Sequence, residues 1–259
     1  MTCMMRLVAF AFALMLSLPV HAAALIDSLS GTVRAGASAA TATAASRNQR
    51  VLPGTVVTTG PKSQAVLRFD DGQAIALAEN TEFRVTAYSF AREAPAKDSF
   101  VFELLRGALR SVTGLVSQRN PQGYALRIPQ ATIGIRGTDF MVAVVNPAFV
   151  SVLNGAIAAT NSAGSVTFGA GATGTIASST ALATTIPASA LPASVAASFN
   201  QLGSLVIAAG AGAATEAAAG GITPGVVAAG VAALAGIVAA ASDDGATGTS
   251  GTATTGSAP

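Results

Sequence analysis

The sequence predicts an all-β domain, an antiparallel β-sandwich of jelly-roll type, followed by an Ala/Gly-rich C-terminal tail that is partly helical or disordered. Three observations predict it. From Ile26 to about Phe168, short runs of Val, Ile, Thr, Phe and Leu alternate with Gly, Pro, Asn and Asp, and no helical period extends over ten residues. About 140 residues of this pattern suffice to close two layers around one core. Charge marks where the pattern ends: residues 25–139 carry 13 Lys/Arg and 9 Asp/Glu, whereas residues 140–259 carry no Lys/Arg and only Glu216, Asp243 and Asp244 as acids.

Residues 1–22 read as a signal peptide: a start carrying Arg6, an apolar run from Leu7 to Leu18, and small residues that place a cut after Ala22. An uncleaved anchor is the alternative, although the run is shorter than the roughly 20 residues a spanning helix needs. Cleavage would remove Cys3 and His21, the only Cys and His of the chain. Disulfides, thiolate zinc sites, histidine metal sites and Cys or His nucleophile–base pairs would go with them. The expected location is exported, in the periplasm or at the cell surface.

Within the β region, Leu67, Phe69, Ile75 and Leu77 all occupy odd positions around Asp70-Asp71-Gly72. A two-residue loop would send Leu67 and Ile75 to opposite faces, because it pairs odd with even positions. A three-residue loop pairs 69 with 73, 67 with 75 and 65 with 77, and puts Gly72 in a left-handed bulge position. Asp70 and Asp71 then serve the turn, with a metal or acid–base pair as the alternative.

A pattern Leu-x-Gly-[Thr/Ala]-[Val/Leu/Ile] occurs at Leu29–Val33, Leu52–Val56, Leu105–Leu109 and Leu153–Ile157, at intervals of 23, 53 and 48 residues. Such uneven spacing excludes a stacked solenoid. It predicts strands bent at a glycine of positive φ or close backbone approach, at several sheet corners. Chance similarity is an alternative for the second copy, where Pro53 interrupts pairing.

The tail contains two distinct pieces. Leu191, Val195, Phe199, Leu202 and Val206 share one helical face within Pro187–Val206, an amphipathic helix that packs back on the body or lies on a partner. Val226 to Ala241 is a run of 16 small apolar residues, about 24 Å long if helical and short of a roughly 30 Å hydrocarbon core. The expected organisation is a signal peptide at 1–22, a β domain at 25–175, and a low-complexity segment with the short helix at 176–221. A small-apolar helix or candidate membrane segment at 222–242 and a disordered tail at 243–259 complete it.

The segment Leu126-Arg127-Ile128-Pro129-Gln130-Ala131-Thr132-Ile133-Gly134-Ile135-Arg136-Gly137-Thr138-Asp139-Phe140-Met141-Val142 resembles the signature of the FecR-like family. There a proline-containing strand leads into a strand with an Arg-Gly-Thr-x-Phe corner. Leu52-Pro53-Gly54 with Thr58-Thr59-Gly60, then Ala65–Gly72, Leu105–Leu109 and Val152–Gly155 resemble that family's landmarks in the same order, over about residues 25–175. The resemblance implies an extracytoplasmic, jelly-roll-like β domain without catalytic activity. Its best-known members sense an occupied outer-membrane iron-complex transporter and signal through the inner membrane to a sigma factor. Such regulators have a cytoplasmic region before their membrane helix, whereas Met1 to Arg6 alone precede the apolar run here. A standalone exported member is therefore expected, and a sigma-factor partner is not.

Signature residues Arg136, Gly137, Thr138, Asp139 and Phe140 have a structural explanation. Gly137 permits a special backbone conformation and Thr138 can bond locally to the backbone. Arg136 and Asp139 can pair or cap strand groups, and an Arg at a sheet corner can hold a carboxylate or phosphate. No catalytic residue, metal ligand or cofactor is expected; hydrolysis would need acids such as Glu103 and Asp139 to converge about 5–10 Å apart. Basic residues form no run with interleaved aromatics, so no nucleic-acid partner is expected. The leading expectation is a binding or sensing module for an envelope protein or glycan, with membrane contact through 222–242 as an option. The alternative is a structural or adhesive surface protein that self-associates through its Ala/Gly/Thr-rich tail.

Overall fold

The computed structural model describes residues 23–205 and 207. The signal peptide read at 1–22 and the segments read at 222–242 and 243–259 lie outside the described residues. The chain divides after Thr215, and the unit from Glu216 to Pro259 also lies outside them.

Alternating apolar and polar residues build 15 strands among the described residues. In chain order they are β1 (Ala24–Ser30), β2 (Val33–Gly36), β3 (Thr43–Ala44), β4 (Arg50–Val51), β5 (Val56–Thr59), β6 (Gln64–Phe69), β7 (Ala74–Leu77) and β8 (Glu82–Ser89). Then follow β9 (Ser99–Val112), β10 (Tyr124–Ile128), β11 (Ala131–Val144), β12 (Ala148–Asn161), β13 (Gly164–Gly169), β14 (Thr173–Ile176) and β15 (Thr184–Ile186). A short helix α1 (Leu115–Arg119) sits between β9 and β10, and α2 (Ala193–Ser204) follows β15.

Three 14-residue strands, β9, β11 and β12, connect two layers because each changes neighbours halfway along. In the first layer the order is β3-β2-β5-β8, the first half of β9, β10, the first half of β11, the second half of β12, and β13. In the second it is β4-β1-β6-β7, the second halves of β9 and β11, the first half of β12, then β14 and β15. Between them lies the main core, with Phe83, Phe102, Leu126 and Ile133 from the first layer against Leu67, Ile75, Phe140 and Val150 from the second. Phe100 centres an aromatic group, edge-on to Tyr88 and to Phe102 at 4.6 Å between centroids.

One pairing departs from the all-antiparallel expectation. Tyr124–Arg127 of β10 runs parallel to Phe100–Glu103 of β9. The chain between Val112 and Tyr124, which includes α1, is long enough to carry it back to the start of β9, as a parallel crossover requires.

The hairpin between β6 and β7 has the three-residue loop that parity demands. Leu67 opposes Ile75, Ala65 opposes Leu77, and the Phe69 amide donates to the Gln73 carbonyl at 2.9 Å. Gly72 is left-handed at φ 86°.

All four Leu-x-Gly copies mark a passage between layers. Gly31 (φ 74°) separates β1 from β2 and Gly54 (φ 90°) separates β4 from β5, while Gly107 (φ 87°) and Gly155 (φ 75°) lie where β9 and β12 cross over. The second copy is thus a genuine corner. Three of the motif leucines stay out of the core, Leu52, Leu105 and Leu153 being 46%, 37% and 45% exposed, whereas Leu29 is partly buried and packs against it.

The helix read over Pro187–Val206 forms as α2 and packs back on the body. It buries Val195, Phe199 and Leu202 on the outer face of the second layer, against Val66, Ala76, Ala108, Met141, Ala143 and Phe149. The alanines on that face let the helix approach the sheet closely.

Candidate functional site

The signature residues sit at the bend of β11, where the register against β12 slips between Arg136 and Asp139. Gly137, at φ 57°, makes the slip and has open space where a Cβ would stand. Phe140 is fully buried in the main core. Thr138 is buried, yet it acts through its backbone: its amide donates to Thr113 Oγ1 at 2.9 Å and its carbonyl accepts the Thr113 amide. The expected local bond from its hydroxyl does not form, and Thr138 Oγ1 has no partner among the described residues.

Asp139 does not pair with Arg136. It holds Arg110 of β9 in a two-pronged bond, Nε to Oδ1 at 2.9 Å and Nη2 to Oδ2 at 2.7 Å. Arg110 then donates from Nη1 to the carbonyls of Leu202 and Leu205 at 3.2 and 3.0 Å, which closes the C-terminal end of α2. A cation there satisfies orphan carbonyls and complements the negative end of the helix dipole. The strand changes layers between the two side chains: the bulge leaves both pointing away from the core, Arg136 on the outer face of the first layer and Asp139 on that of the second, beside Arg110 and α2. Arg110 was not singled out in the sequence. A signal existed, since it is the one charged residue in the Gly107–Val112 half-strand.

Arg136 is the one signature side chain the fold does not use. It is exposed, makes no ion pair or hydrogen bond among the described residues, and borders an open cleft of about 480 Å³ on the outer face of the first layer. The floor is small: Gly134, Ala156 and Ala158, with Thr167 and Gln122 at its sides. A guanidinium beside a shallow cleft of this kind can fork onto a carboxylate or phosphate of something lying across the sheet.

The other charged residues are used elsewhere. Glu103 pairs with Arg84 at 3.3 Å and Glu82 with Arg106 at 3.2 Å, so Glu103 and Asp139 are engaged separately rather than as a pair. No group of three His, Cys, Asp or Glu side chains gathers to hold a metal among the described residues.

Asp71 exceeds its expected part in the turn. It is fully buried; Oδ1 accepts the Gln73 amide at 3.1 Å and Oδ2 accepts the Val116 amide at 3.2 Å, so it caps α1 from a distant hairpin. Its own amide donates to the Tyr88 hydroxyl at 3.2 Å. Burial pushes the Asp71 carboxyl up to about 6, against the lowering effect of those amides. Because the folded value lies above the unfolded one, the group's stabilising contribution is complete below about pH 4 and is lost as pH rises through about 6. The difference amounts to about 3 kcal/mol. In urea unfolding at pH 4 and pH 7, Asp71→Asn should remove this component from the pH dependence while lowering stability at both pH values, since an amide cannot accept both backbone bonds. An unchanged pH dependence would rule the assignment out.

Residues 55–158 match the family model described as FecR protein. No curated protein matches the chain. Two crystal structures of a candidate anti-sigma factor from Parabacteroides distasonis ATCC 8503, at 1.65 and 2.50 Å resolution, are similar to the chain at 14% identity and a TM-score of 0.41. Each comparison covers 51% of this chain, which spans 58% of the length of that protein.

Proposed function

We propose, from the match of residues 55–158 to the FecR family model, a non-enzymatic, exported binding module of the cell envelope, linked to sensing and signal transduction. The observation that carries this reading is the division of labour at the β11 bend. Gly137, Thr138, Asp139 and Phe140 are used by the fold, whereas Arg136 faces solvent beside the small-floored cleft. A free guanidinium on an open sheet face suits recognition of an acidic group on an envelope protein or glycan. Residues 1–22, with their apolar run and small-residue cut site, support passage out of the cytosol. The full chain is therefore read as acting in the periplasm or at the cell surface, with a sigma factor outside its direct reach.

Arg136→Glu tests the site, because an exposed side chain without partners contributes little to stability. The variant should unfold within about 0.5 kcal/mol of the parent. In fractionated cells the chain should lie in the envelope fraction with Ala23 as its first residue, and the variant should lose the neighbour that the parent retains. Retention of residues 1–22 on a cytoplasmic protein, or equal retention of the neighbour by the variant, would refute the proposal.

A further inference from the structure

A sheet of two open layers leaves four edges, and an edge strand carries backbone groups free to pair with another chain unless something blunts it. Three of the four edges here are short. β3 and β4 have two residues each, and β15 has three and runs directly into Pro187. The fourth, β13, has six residues, Gly-Ser-Val-Thr-Phe-Gly, with no charge and no proline.

β13 pairs with β12 alone, and its register fixes which groups remain open. Asn161 opposes Gly164 across a two-residue turn, so positions 164, 166 and 168 bond inward to β12, while the amides and carbonyls of Ser165 and Thr167 point outward. Those groups have no backbone partner among the described residues.

A second, independent feature lies on the same edge. Val166 reaches the rim of the main core and is only half-buried, and Leu182, 51% exposed, stands against Gly164. No described residue after Asp139 is charged, so β13 itself and the Leu182 segment beside it carry no charge that would repel an identical edge.

We propose that the β13 edge is a self-association surface and that its occupant is β13 of a second copy of this chain, antiparallel about a two-fold axis. The outward groups select the register. With Val166 opposite Val166 of the partner subunit, Ser165 of each copy faces Thr167 of the other, and four backbone hydrogen bonds close around the axis. The two valines then form a non-hydrogen-bonded pair, the closer of the two antiparallel spacings. Such an interface is isologous and ends in a closed dimer rather than a filament. This surface meets the Arg136 cleft at Thr167, but it uses the outward backbone groups of β13 rather than that cleft, and the proposal does not rest on the reading of the cleft.

The test uses the full chain with Cys3→Ser, so that one thiol can be placed at will. Sedimentation at about 100 µM should give a dimer. Thr167→Pro removes an outward amide on each copy and leaves the inward bonds of β13 intact. It should raise the dissociation constant by at least about 30-fold, with far-UV circular dichroism and urea midpoint close to the parent's. Val166→Cys should cross-link to dimer under mild oxidation, and Ser165→Cys should not. A monomer at 100 µM, association that ignores Thr167→Pro, or absence of the Val166→Cys cross-link would each overturn the proposal. The second outcome would place assembly elsewhere in the chain, and protection of the Ser165 and Thr167 amides in a monomer would mean the edge is covered from within.

Discussion

Gly155→Ala is expected to destabilise the domain by about 4 kcal/mol, enough to deplete the folded chain. Two effects add. Gly155 has φ 75°, where a Cβ is strained, and that Cβ would stand against the carbonyl of Gly137, a backbone atom that cannot step aside. The corners of β11 and β12 thus rest on one another through glycine alone. Gly107→Ala should behave alike, since its Cβ would meet the Thr81 side chain and backbone, where Thr81 Oγ1 exchanges hydrogen bonds with Ala108. Gly54→Ala separates the two effects. At φ 90° with nothing within 4 Å, it should cost only the conformational strain, about 1–2 kcal/mol. Urea midpoints in the order Gly54→Ala well above Gly107→Ala and Gly155→Ala would bear this out; three equal losses would not.

Asp139→Asn should cost about 2 kcal/mol and loosen α2 before the rest of the domain. The Arg110 and Asp139 side chains are only 12% and 22% exposed, so the pair is largely sheltered from solvent screening. Removing the acid leaves a partly buried cation whose other prong holds the helix carbonyls. Arg110→Met should release the same helix end, and the double variant should cost less than the sum of the two, with a coupling of about 1–3 kcal/mol. Hydrogen exchange gives the local readout: faster exchange confined to the amides near Phe199–Ser204 is expected. Strictly additive losses without local loosening would separate Asp139 from α2.

Much of this architecture was legible because a strand has a rigid two-residue period. Parity alone selected the three-residue loop at Asp70-Asp71-Gly72, and the Leu-x-Gly repeats marked every layer crossing at which they occur. The α2 face was equally visible, since Val195, Phe199 and Leu202 keep the helical spacing. What escaped depends on contacts that no local pattern encodes. The chain changes layers at Gly137, so the partner of Asp139 is Arg110 of the second layer rather than the nearby Arg136, which stays on the first. The parallel pairing of β10 with β9 is formed across a connection without hydrophobic period. Asp71 reads as a solvated turn residue until α1, some 45 positions later, folds onto it.

The most direct measurement of the central claim is photo-cross-linking in intact cells from position 122, which borders the cleft and leaves Arg136 in place. The account predicts one dominant envelope partner, lost at least about tenfold with Arg136→Glu and absent when the probe sits at position 201 on α2. Capture of a cytoplasmic protein, or the same products from positions 122 and 201 regardless of Arg136, would contradict it.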